Sequence, residues 1–541
     1  MIKNNHVMKY NRFIYKVGGL AIGLLPMLSA CNHFLSILPD NRIDVDNDRY
    51  EKVKGLLITA YPNTGCIVAA EMSSDNVVEV SENSSYGTRF YDQLYSWEDV
   101  SEASNDAPAA IWESAYGAIQ AANVALEIAE KATDQEKIRP LKGEALLCRA
   151  YGHFILTNMF AQAYDPISNK DSLGVYYMER PERKLNPKYH RQTLGENYQA
   201  IQRDIEEGLP LIRDAVYGTT PKYHFNQSAG HAFAARFYLY AQQWDKAIKY
   251  ATAVLGDDPA SVLRDYTPLA KLPSGETGFI NRSILHVDHR AKNNLLLLTS
   301  YGRASRVFGA SLVGARYNHV TYVATTETIM TSGAWGDNFT EAGTGNLKLA
   351  PAVLTPPFSK VILPRIPEQF EYTNRAAGVG YLRTTYADFT TDETLLVRAE
   401  AYIHKEKYAE ALQDMNIYLR NFLKDPIELT EAKIEEWNQK TPYHTPLEPT
   451  PRKKLNANMS INTKQEHYLQ VLLHMRRLET LHLGLRWMDV KRYGIEITRV
   501  TIKNGNNVTV TSNVLTKNDP RRALQLPLEV LSAGMQGNRG K

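Results

Sequence analysis

The chain has 541 residues, of which 43% are hydrophobic and 22% charged, and its formal net charge is +3. This composition is typical of an ordinary globular protein and argues against a disordered chain. Four cations (Lys3, Lys9, Arg12 and Lys16) precede residue 31, where no acidic residue occurs, so the rest of the chain is close to neutral. Nucleic-acid binding depends on clustered Lys and Arg, so this charge balance argues against it.

The N-terminal segment combines basic residues with an apolar stretch over 17–28 and ends in Leu28-Ser29-Ala30-Cys31. These are the parts of a secretory signal peptide. The apolar stretch of about a dozen residues is shorter than the roughly 20 that a membrane-spanning helix needs. Its end resembles a bacterial lipoprotein box, in which the cysteine receives a diacylglycerol and becomes the mature N-terminus. We therefore expect a signal peptide over 1–30, lipidation of Cys31 and a tether over 31–50; the alternative is an ordinary signal peptide with a chance cysteine.

No strong signal for catalysis or for a cofactor occurs in the sequence. Phosphate-binding Gly-rich loops, HExxH and GxSxG are absent. His286 and His289 would lie on opposite faces of a strand, which argues against a shared metal site. Cys66 and Cys148 lack metal-ligand spacing and are either a disulfide or two separate thiols. We expect no cofactor, no metal and no enzymatic activity, although a facing pair of carboxylates, as in a glycosidase, is not excluded by sequence.

Helical periodicity dominates up to about residue 256. The segment 105–108 has capping residues before a proline and predicts a helix start. Apolar and small residues then recur at helical spacing through Trp112, Tyr116 and Leu126. Further helices are predicted over 143–160, 193–211 and 465–493. Strand-like runs occur at 283–289 and 322–325, and 424–465 reads as irregular.

Two segments share one spacing of aromatic and small residues. Tyr238, Trp244 and Ala247 in the first correspond to Tyr402, Tyr408 and Ala411 in the second. A small residue lets two helices approach closely, as in tetratricopeptide helix pairs; the alternative is two unrelated amphipathic hairpins. The predicted fold is mostly α, with tetratricopeptide-like pairs in a single large globular domain and irregular loop and short-strand insertions. Its expected parts are 51–256, a loop-rich insertion over 257–395, and 396–541.

Several motifs together resemble the RagB/SusD family of outer-membrane lipoproteins from Bacteroidetes. The most specific is Arg476-Arg477-x-Glu479 followed by Gly484-x-Arg486-Trp487-x-Asp489-x-Lys491-Arg492-Tyr493-Gly494. Others are Trp112-x3-Tyr116-x2-Ile119-x2-Ala122-Asn123, Leu396-x-Arg398-Ala399-Glu400-Ala401-Tyr402, and Asp519-Pro520-Arg521-Arg522. Leu483 stands where the family usually has Glu, and the residues after Cys31 lack the acidic cluster often found there.

The resemblance implies a lipid-anchored protein of the outer membrane, exposed at the cell surface. It implies a SusC-like TonB-dependent transporter as partner and an oligosaccharide, or less often a peptide, as ligand. The resemblance implies no chemical role for the motif residues Arg477, Glu479, Arg486 and Asp489. We expect them to form charge-assisted pairs that hold the last helix to loops.

Two loop regions combine aromatic residues with polar ones, the mix that a sugar site needs. The resemblance also places ligand contacts in such loops. Trp335 is the strongest candidate, because it lies near glycines in a polar loop. The full candidate set is Asp75, Asn76, Tyr86, Arg89, Trp97, Tyr301, Tyr317, Trp335 and Asn338. A role in the core or at a transporter interface is the alternative for each aromatic residue.

These observations favour a surface lipoprotein that binds a glycan oligomer and delivers it to a transporter. A peptide-binding relative, a lipid-anchored glycoside hydrolase and a helical scaffold that binds only protein are the alternatives.

Overall fold

The computed structural model describes residues 45–81, 87–184, 187–273, 275–311, 314–339, 345–354, 360–503 and 507–539. The predicted signal peptide, Cys31 and Tyr86 lie outside these ranges. From Asp46 onward the chain forms one compact unit. Its first helix begins at Val45, so the last part of the predicted tether is helical.

Helices are the main secondary structure of the described residues. They are α1 (Val45–Leu57), α2 (Ile67–Ser73), α3 (Arg89–Tyr95), α4 (Pro108–Glu130), α5 (Gln135–Phe160), α6 (Leu194–Gly208), α7 (Gln227–Tyr240), α8 (Trp244–Leu255), α9 (Thr267–Ala270), α10 (Glu276–His286), α11 (Ala304–Val307), α12 (Thr321–Thr326), α13 (Thr391–His404), α14 (Tyr408–Phe422), α15 (Glu431–Lys440), α16 (Thr463–Glu479), α17 (Leu485–Arg492) and α18 (Leu528–Ser532). Within the described ranges, none of them is both long and apolar enough to cross a membrane.

The strands form three small sheets. They are β1 (Val78–Val80), β2 (Asn294–Tyr301), β3 (Tyr317–Asn318), β4 (Ala352–Leu354), β5 (Lys360–Ile362), β6 (Glu368–Asn374), β7 (Val379–Thr390), β8 (Ile497–Lys503) and β9 (Asn507–Leu515). Their orders are β3-β1-β8-β9, β2-β7-β6 and β4-β5. All neighbouring strands are antiparallel except β1 and β8.

The two predicted helix pairs are present as α7–α8 and α13–α14. Gln242 and Glu406, which correspond in the repeat spacing, both adopt positive φ, 57° and 58°, in the turn between the helices of their pair. Ala247 and Ala411 are fully buried where the helices approach. Helix α13 packs against α7, α8, α14 and α16, and these contacts place the two pairs side by side in the core. The expected mostly helical class with tetratricopeptide-like pairs is confirmed, whereas the part boundaries at 256 and 395 stay predictions.

The predicted starts of α4 and α6 agree with the structure, whereas that of α5 does not. Helix α4 begins at Pro108 as expected. Helix α5 begins eight residues before the predicted start at Gly143, because the Asp134 side chain accepts a hydrogen bond from the Lys137 amide and caps it. Thr193 and Glu196 form a capping box at the start of α6.

Four other predictions of secondary structure are wrong. Residues 283–286 belong to helix α10, and 322–325 belong to helix α12, so neither run is a strand. The segment 424–465 contains helix α15. The predicted helix over 465–493 is two helices, because Gly484 adopts a left-handed conformation (φ 82°) between α16 and α17.

Candidate functional site

Asp75 and Asn76 lie in a buried charge network. The Asp75 carboxylate accepts two hydrogen bonds from Arg486, Nε to Oδ1 at 2.7 Å and Nη2 to Oδ2 at 2.8 Å. Arg477 donates to Asn76 Oδ1 at 2.8 Å and to the Asp75 carbonyl at 2.7 Å. Burial alone would raise the pKa of Asp75, but the guanidinium groups of Arg477 and Arg486 hold this pKa well below its usual range. Both side chains are therefore committed to the core.

The network continues to a loop and a helix end far along the chain. Glu327 accepts from Lys453 Nζ at 2.5 Å and from Arg477 Nη1 at 3.0 Å. Burial alone would raise the pKa of Glu327. The pKa is instead lowered to about 2 by the positive charges of Lys453, His444 and Arg477. These contacts tie α16 to the segments at 75–76 and 327.

The other motif residues are paired in the same way. Asp489 accepts from Arg492 at 2.7 Å and from Arg476 at 3.3 Å. Glu479 accepts from the Tyr418 hydroxyl at 3.1 Å. The charge-assisted pairs that we expected around α16 and α17 are thus present.

Trp97 and Tyr317 belong to a second buried cluster. The Trp97 indole N–H donates to the Ser73 carbonyl at 2.8 Å, and the Arg499 guanidinium lies 4.0 Å from the Trp97 ring centroid. The Tyr317 hydroxyl donates to Asp92 Oδ1 at 2.5 Å. Neither ring offers a free face to a ligand in this conformation, whereas Arg89, at the start of α3, is exposed.

Trp335 is 1% exposed, so the expectation of an exposed platform is wrong. Its indole N–H donates to Asn338 Oδ1 at 2.9 Å, and its ring packs 4.9 Å from the ring of His474. The glycines that suggested an open loop have another role. A Cβ on Gly333 would meet the indole ring at 2.5 Å, and Gly336 takes φ 95° to close the turn. The glycines let the indole fold back onto its own backbone and into the core.

Among the predicted aromatic residues with described positions, Tyr301 lies at a solvent-facing surface. It ends β2 and lies directly opposite Arg383 of β7, which lies opposite Gln369 of β6. Arg383 Nη2 donates to the Tyr301 hydroxyl at 2.7 Å, and the guanidinium carbon lies 4.0 Å from the Tyr301 ring centroid. Tyr381, two positions before Arg383, meets Tyr301 edge to face at 5.5 Å and is 51% exposed.

One face of the β2-β7-β6 sheet therefore carries a polar and aromatic surface, which we call the tyrosine–arginine face. Its residues are Tyr301, Gln369, Glu371, Tyr381 and Arg383. Because paired residues of antiparallel strands share a face, their side chains project to the same side. Glu371, opposite Tyr381, forms an ion pair with Arg383. The face offers one free aromatic ring beside a guanidinium, a carboxylate and an amide.

Tyr381 and Arg383 are not among the ligand residues predicted from the sequence. Their signal is the period of two in Tyr381-x-Arg383-x-Thr385, which identifies one side of a strand. The other side of the same hairpin carries Phe370 and Tyr372, whose rings lie 4.8 Å apart and are also exposed.

The structure adds two facts about metal and thiol chemistry. Among the residues with described positions, no group of three His, Cys, Asp or Glu side chains is placed to hold a metal ion. Cys66 and Cys148 are free thiols, so they form no disulfide here. Burial raises the pKa of the Cys66 thiol to about 12, which makes it a poor nucleophile.

The fold and this surface define a helical-repeat protein with an exposed aromatic face. The SusD-like family described as starch-binding and associating with the outer membrane matches residues 33–239. No curated protein matches the chain.

Solved structures share the fold over nearly the whole chain. A SusD superfamily protein from Bacteroides thetaiotaomicron is 16% identical, with 91% of this chain and 99% of that chain covered and a TM-score of 0.59. A SusD superfamily protein from Bacteroides fragilis is 18% identical, with coverages of 90% and 97% and a TM-score of 0.58. A SusD-like carbohydrate-binding protein from Bacteroides vulgatus is 15% identical, with coverages of 90% and 96% and a TM-score of 0.56. The chain thus has the fold of these SusD-like structures, and its residues 33–239 match the SusD-like family.

Proposed function

We propose that this protein is a cell-surface lipoprotein that captures a glycan oligomer on its tyrosine–arginine face. The observation that carries the proposal is Tyr381, an exposed ring flanked by Arg383 and Glu371. A sugar ring presents apolar C–H groups that stack on an aromatic face, and its hydroxyls pair with charged and amide groups at the edges. The family's description as starch-binding supports the same ligand class.

The location and the partner belong to the same proposal. Lipidation at Cys31 would hold the protein at the outer membrane, with which the family is described as associating. A SusC-like TonB-dependent transporter would receive the ligand from it. The protein would bind and release the glycan without making or breaking a bond.

Titration calorimetry with a panel of neutral oligosaccharides tests the binding. We expect Tyr381→Ala to weaken the binding of the preferred oligosaccharide by about fivefold or more, because stacking on one ring contributes on the order of 1 kcal/mol. The matched control is Tyr372→Ala, which removes a ring that is 50% exposed on the opposite side of the hairpin. Equal affinities of the two variants would reject the tyrosine–arginine face as the site. Products released from any sugar of the panel would show an enzyme instead.

A peptide is the second candidate ligand, and one observation favours it. Strand β6 lies at the edge of its sheet, and all seven of its residues are exposed. An edge strand with open backbone groups can pair with an extended peptide. Binding of a peptide library that depends on β6, together with no affinity for any glycan, would favour this candidate.

A further inference from the structure

A second aromatic site lies away from the sheet, in a pocket of about 420 Å³. Four rings line it: Trp112 and Tyr116 of α4, and Tyr176 and Tyr189 of the segment before α6. The rings of Tyr176 and Tyr189 stack at 4.1 Å with an angle of 23° between their planes, and those of Trp112 and Tyr116 lie 4.9 Å apart. The Tyr116 hydroxyl donates to the Tyr176 carbonyl at 2.7 Å, which joins the two walls. We call this site the aromatic pocket.

The charged side chains that line the aromatic pocket are all acidic. It is lined by Glu113 of α4, by Glu182 of the segment before α6 and by Glu529 of α18. None of its described lining residues is Lys, Arg or His. Glu182 Oε1 accepts the amide of Arg183 at 2.7 Å. The carboxylates of Glu113 and Glu529 have no hydrogen-bond or ion-pair partner among the described residues.

Arg191, in the segment before α6, does not cancel that charge. Arg191 acts electrostatically on Tyr116. Its guanidinium, however, donates to the carbonyls of Gly174 at 2.5 Å and Phe160 at 3.1 Å, and neither of these residues lines the pocket. The pocket thus presents ring faces and carboxylates together.

This combination selects for a positively charged ligand group with apolar surface. Ring faces carry negative electrostatic potential and attract an ammonium group, and an unpaired carboxylate adds to that attraction. A neutral sugar would stack in the pocket and donate hydroxyl hydrogen bonds to the carboxylates, but it would gain no ionic attraction from them. An acidic sugar would be repelled by them.

We propose that the aromatic pocket binds the protonated amino group of an amino-sugar unit. Its volume is within the range of about 300–1,000 Å³ that small-ligand pockets occupy. The walls would take the C–H face of the ring, and Glu113 and Glu529 would accept the ammonium protons. The choice of a sugar as the carrier of the amino group rests on the proposed carbohydrate function.

The test compares two ligands that differ only at nitrogen. Glucosamine tetramers and fully N-acetylated tetramers are titrated into the whole protein by calorimetry. We expect the amine form to bind at least about tenfold more tightly, since cation–π and carboxylate contacts act only on the charged group. The preference should shrink between about 0.05 M and about 0.5 M salt, because these carboxylates are exposed to screening.

Two variants connect the preference to the pocket. Tyr189→Ala removes one ring, and the double variant E113Q/E529Q removes two charges at exposed positions where the fold does not depend on them. Both should reduce the preference for the amine form about tenfold. Tyr372→Ala, on the opposite side of the hairpin from the tyrosine–arginine face, is the control and should leave the preference unchanged.

Three outcomes would overturn the proposal: equal affinity for the two tetramers, a preference that survives both pocket variants, or pocket-dependent binding of a lysine peptide with no affinity for the amino sugar. Neutral oligosaccharides titrated in parallel separate this result from the proposed function. If they fail to bind while the amine form binds in the pocket, the tyrosine–arginine face is rejected and the aromatic pocket stands.

Discussion

Asp75 and Arg486 form a two-point ion pair across 411 positions of sequence. Both side chains are buried, and the pair joins the end of α2 to the start of α17. A buried pair contributes modest net stability compared with an apolar contact, but removal of one partner leaves an uncompensated charge in the core. The family-like Gly484-x-Arg486 motif thus fixes where the C-terminal helices sit on the N-terminal part of the fold.

We predict that Arg486→Met destabilises the protein by about 3–5 kcal/mol, the range for breaking a buried pair. Arg486→Lys should cost less, because the charge remains while the two-point geometry is lost. Urea denaturation followed by circular dichroism measures both.

Arg290→Met is the matched control for this prediction. Arg290 also contacts both carboxylate oxygens of its partner, Asp288, but its side chain is 76% exposed. Exposed ion pairs contribute about 0–1 kcal/mol to the free energy of unfolding. Comparable losses in Arg290→Met and Arg486→Met would show that burial does not decide the effect.

The helix pairs could be predicted from sequence because their signal is local. Aromatic and small residues at fixed spacing determine how two adjacent helices meet, and the turn at Gln242 recurs at Glu406 with the same left-handed backbone. The predicted helix over 465–493 failed at Gly484, where a single residue with positive φ ends one helix and begins the next.

The ligand residues were harder to predict, because exposure is decided by tertiary packing. Trp335 and Tyr381 both occur in polar, Gly-containing segments. Gly333 makes room for the first ring to fold inward, whereas Tyr381 stands on a hairpin that projects into solvent. Nothing within a few residues of either ring distinguishes the two cases. The period of two along β7 does reveal the side that Tyr381 shares with Arg383.

The break between α16 and α17 gives a second prediction. Gly484→Ala should destabilise the protein by about 1–2 kcal/mol or more, because a left-handed backbone is costly for alanine. Its Cβ would also come within 3.1 Å of the Ala70 Cβ.

Gly117→Ala should stabilise the protein, which is the opposite of the effect expected for Gly484→Ala. Gly117 is exposed within α4, and a Cβ there would meet nothing within 4 Å. Alanine is favoured over glycine inside a helix by about 1 kcal/mol. Thermal unfolding of the two variants checks both signs, and a stabilised Gly484→Ala would contradict the role of the left-handed turn.

A third prediction separates structural from ligand-binding aromatics. Trp335→Ala should cost about 3–5 kcal/mol of stability, the range for removing a large buried ring. At a temperature where the variant stays folded, its glycan affinity should equal that of the unchanged protein. Tyr381→Ala should give the reverse pattern, with stability changed by less than about 1 kcal/mol and affinity reduced. If the folded Trp335→Ala variant lost affinity for the glycan, Trp335 would be a ligand-binding residue after all.

Two buried lysines predict a dependence of stability on pH. Lys491 Nζ donates to the carbonyls of Asn158 and Ala161, and Lys360 Nζ donates to that of Val307. Burial lowers the pKa of each lysine to about 7 from an ordinary value of 10.5. Between these values the unfolded chain binds more protons than the folded one, so the lysines make stability rise with pH in this window. Below about pH 7 both states are protonated, and their contribution to the slope vanishes.

Lys491→Met should therefore flatten the dependence of the unfolding free energy on pH between about 7 and 9. The slope of the difference between the two proteins should approach, but not exceed, about 1.4 kcal/mol per pH unit, the limit for one proton. Because the buried thiols and tyrosines titrate identically in both proteins, that difference isolates Lys491. Lys54→Met, at an exposed position of α1, is the control and should leave the slope unchanged. Parallel curves for Lys491→Met and the unchanged protein would mean that Lys491 remains fully charged in the fold.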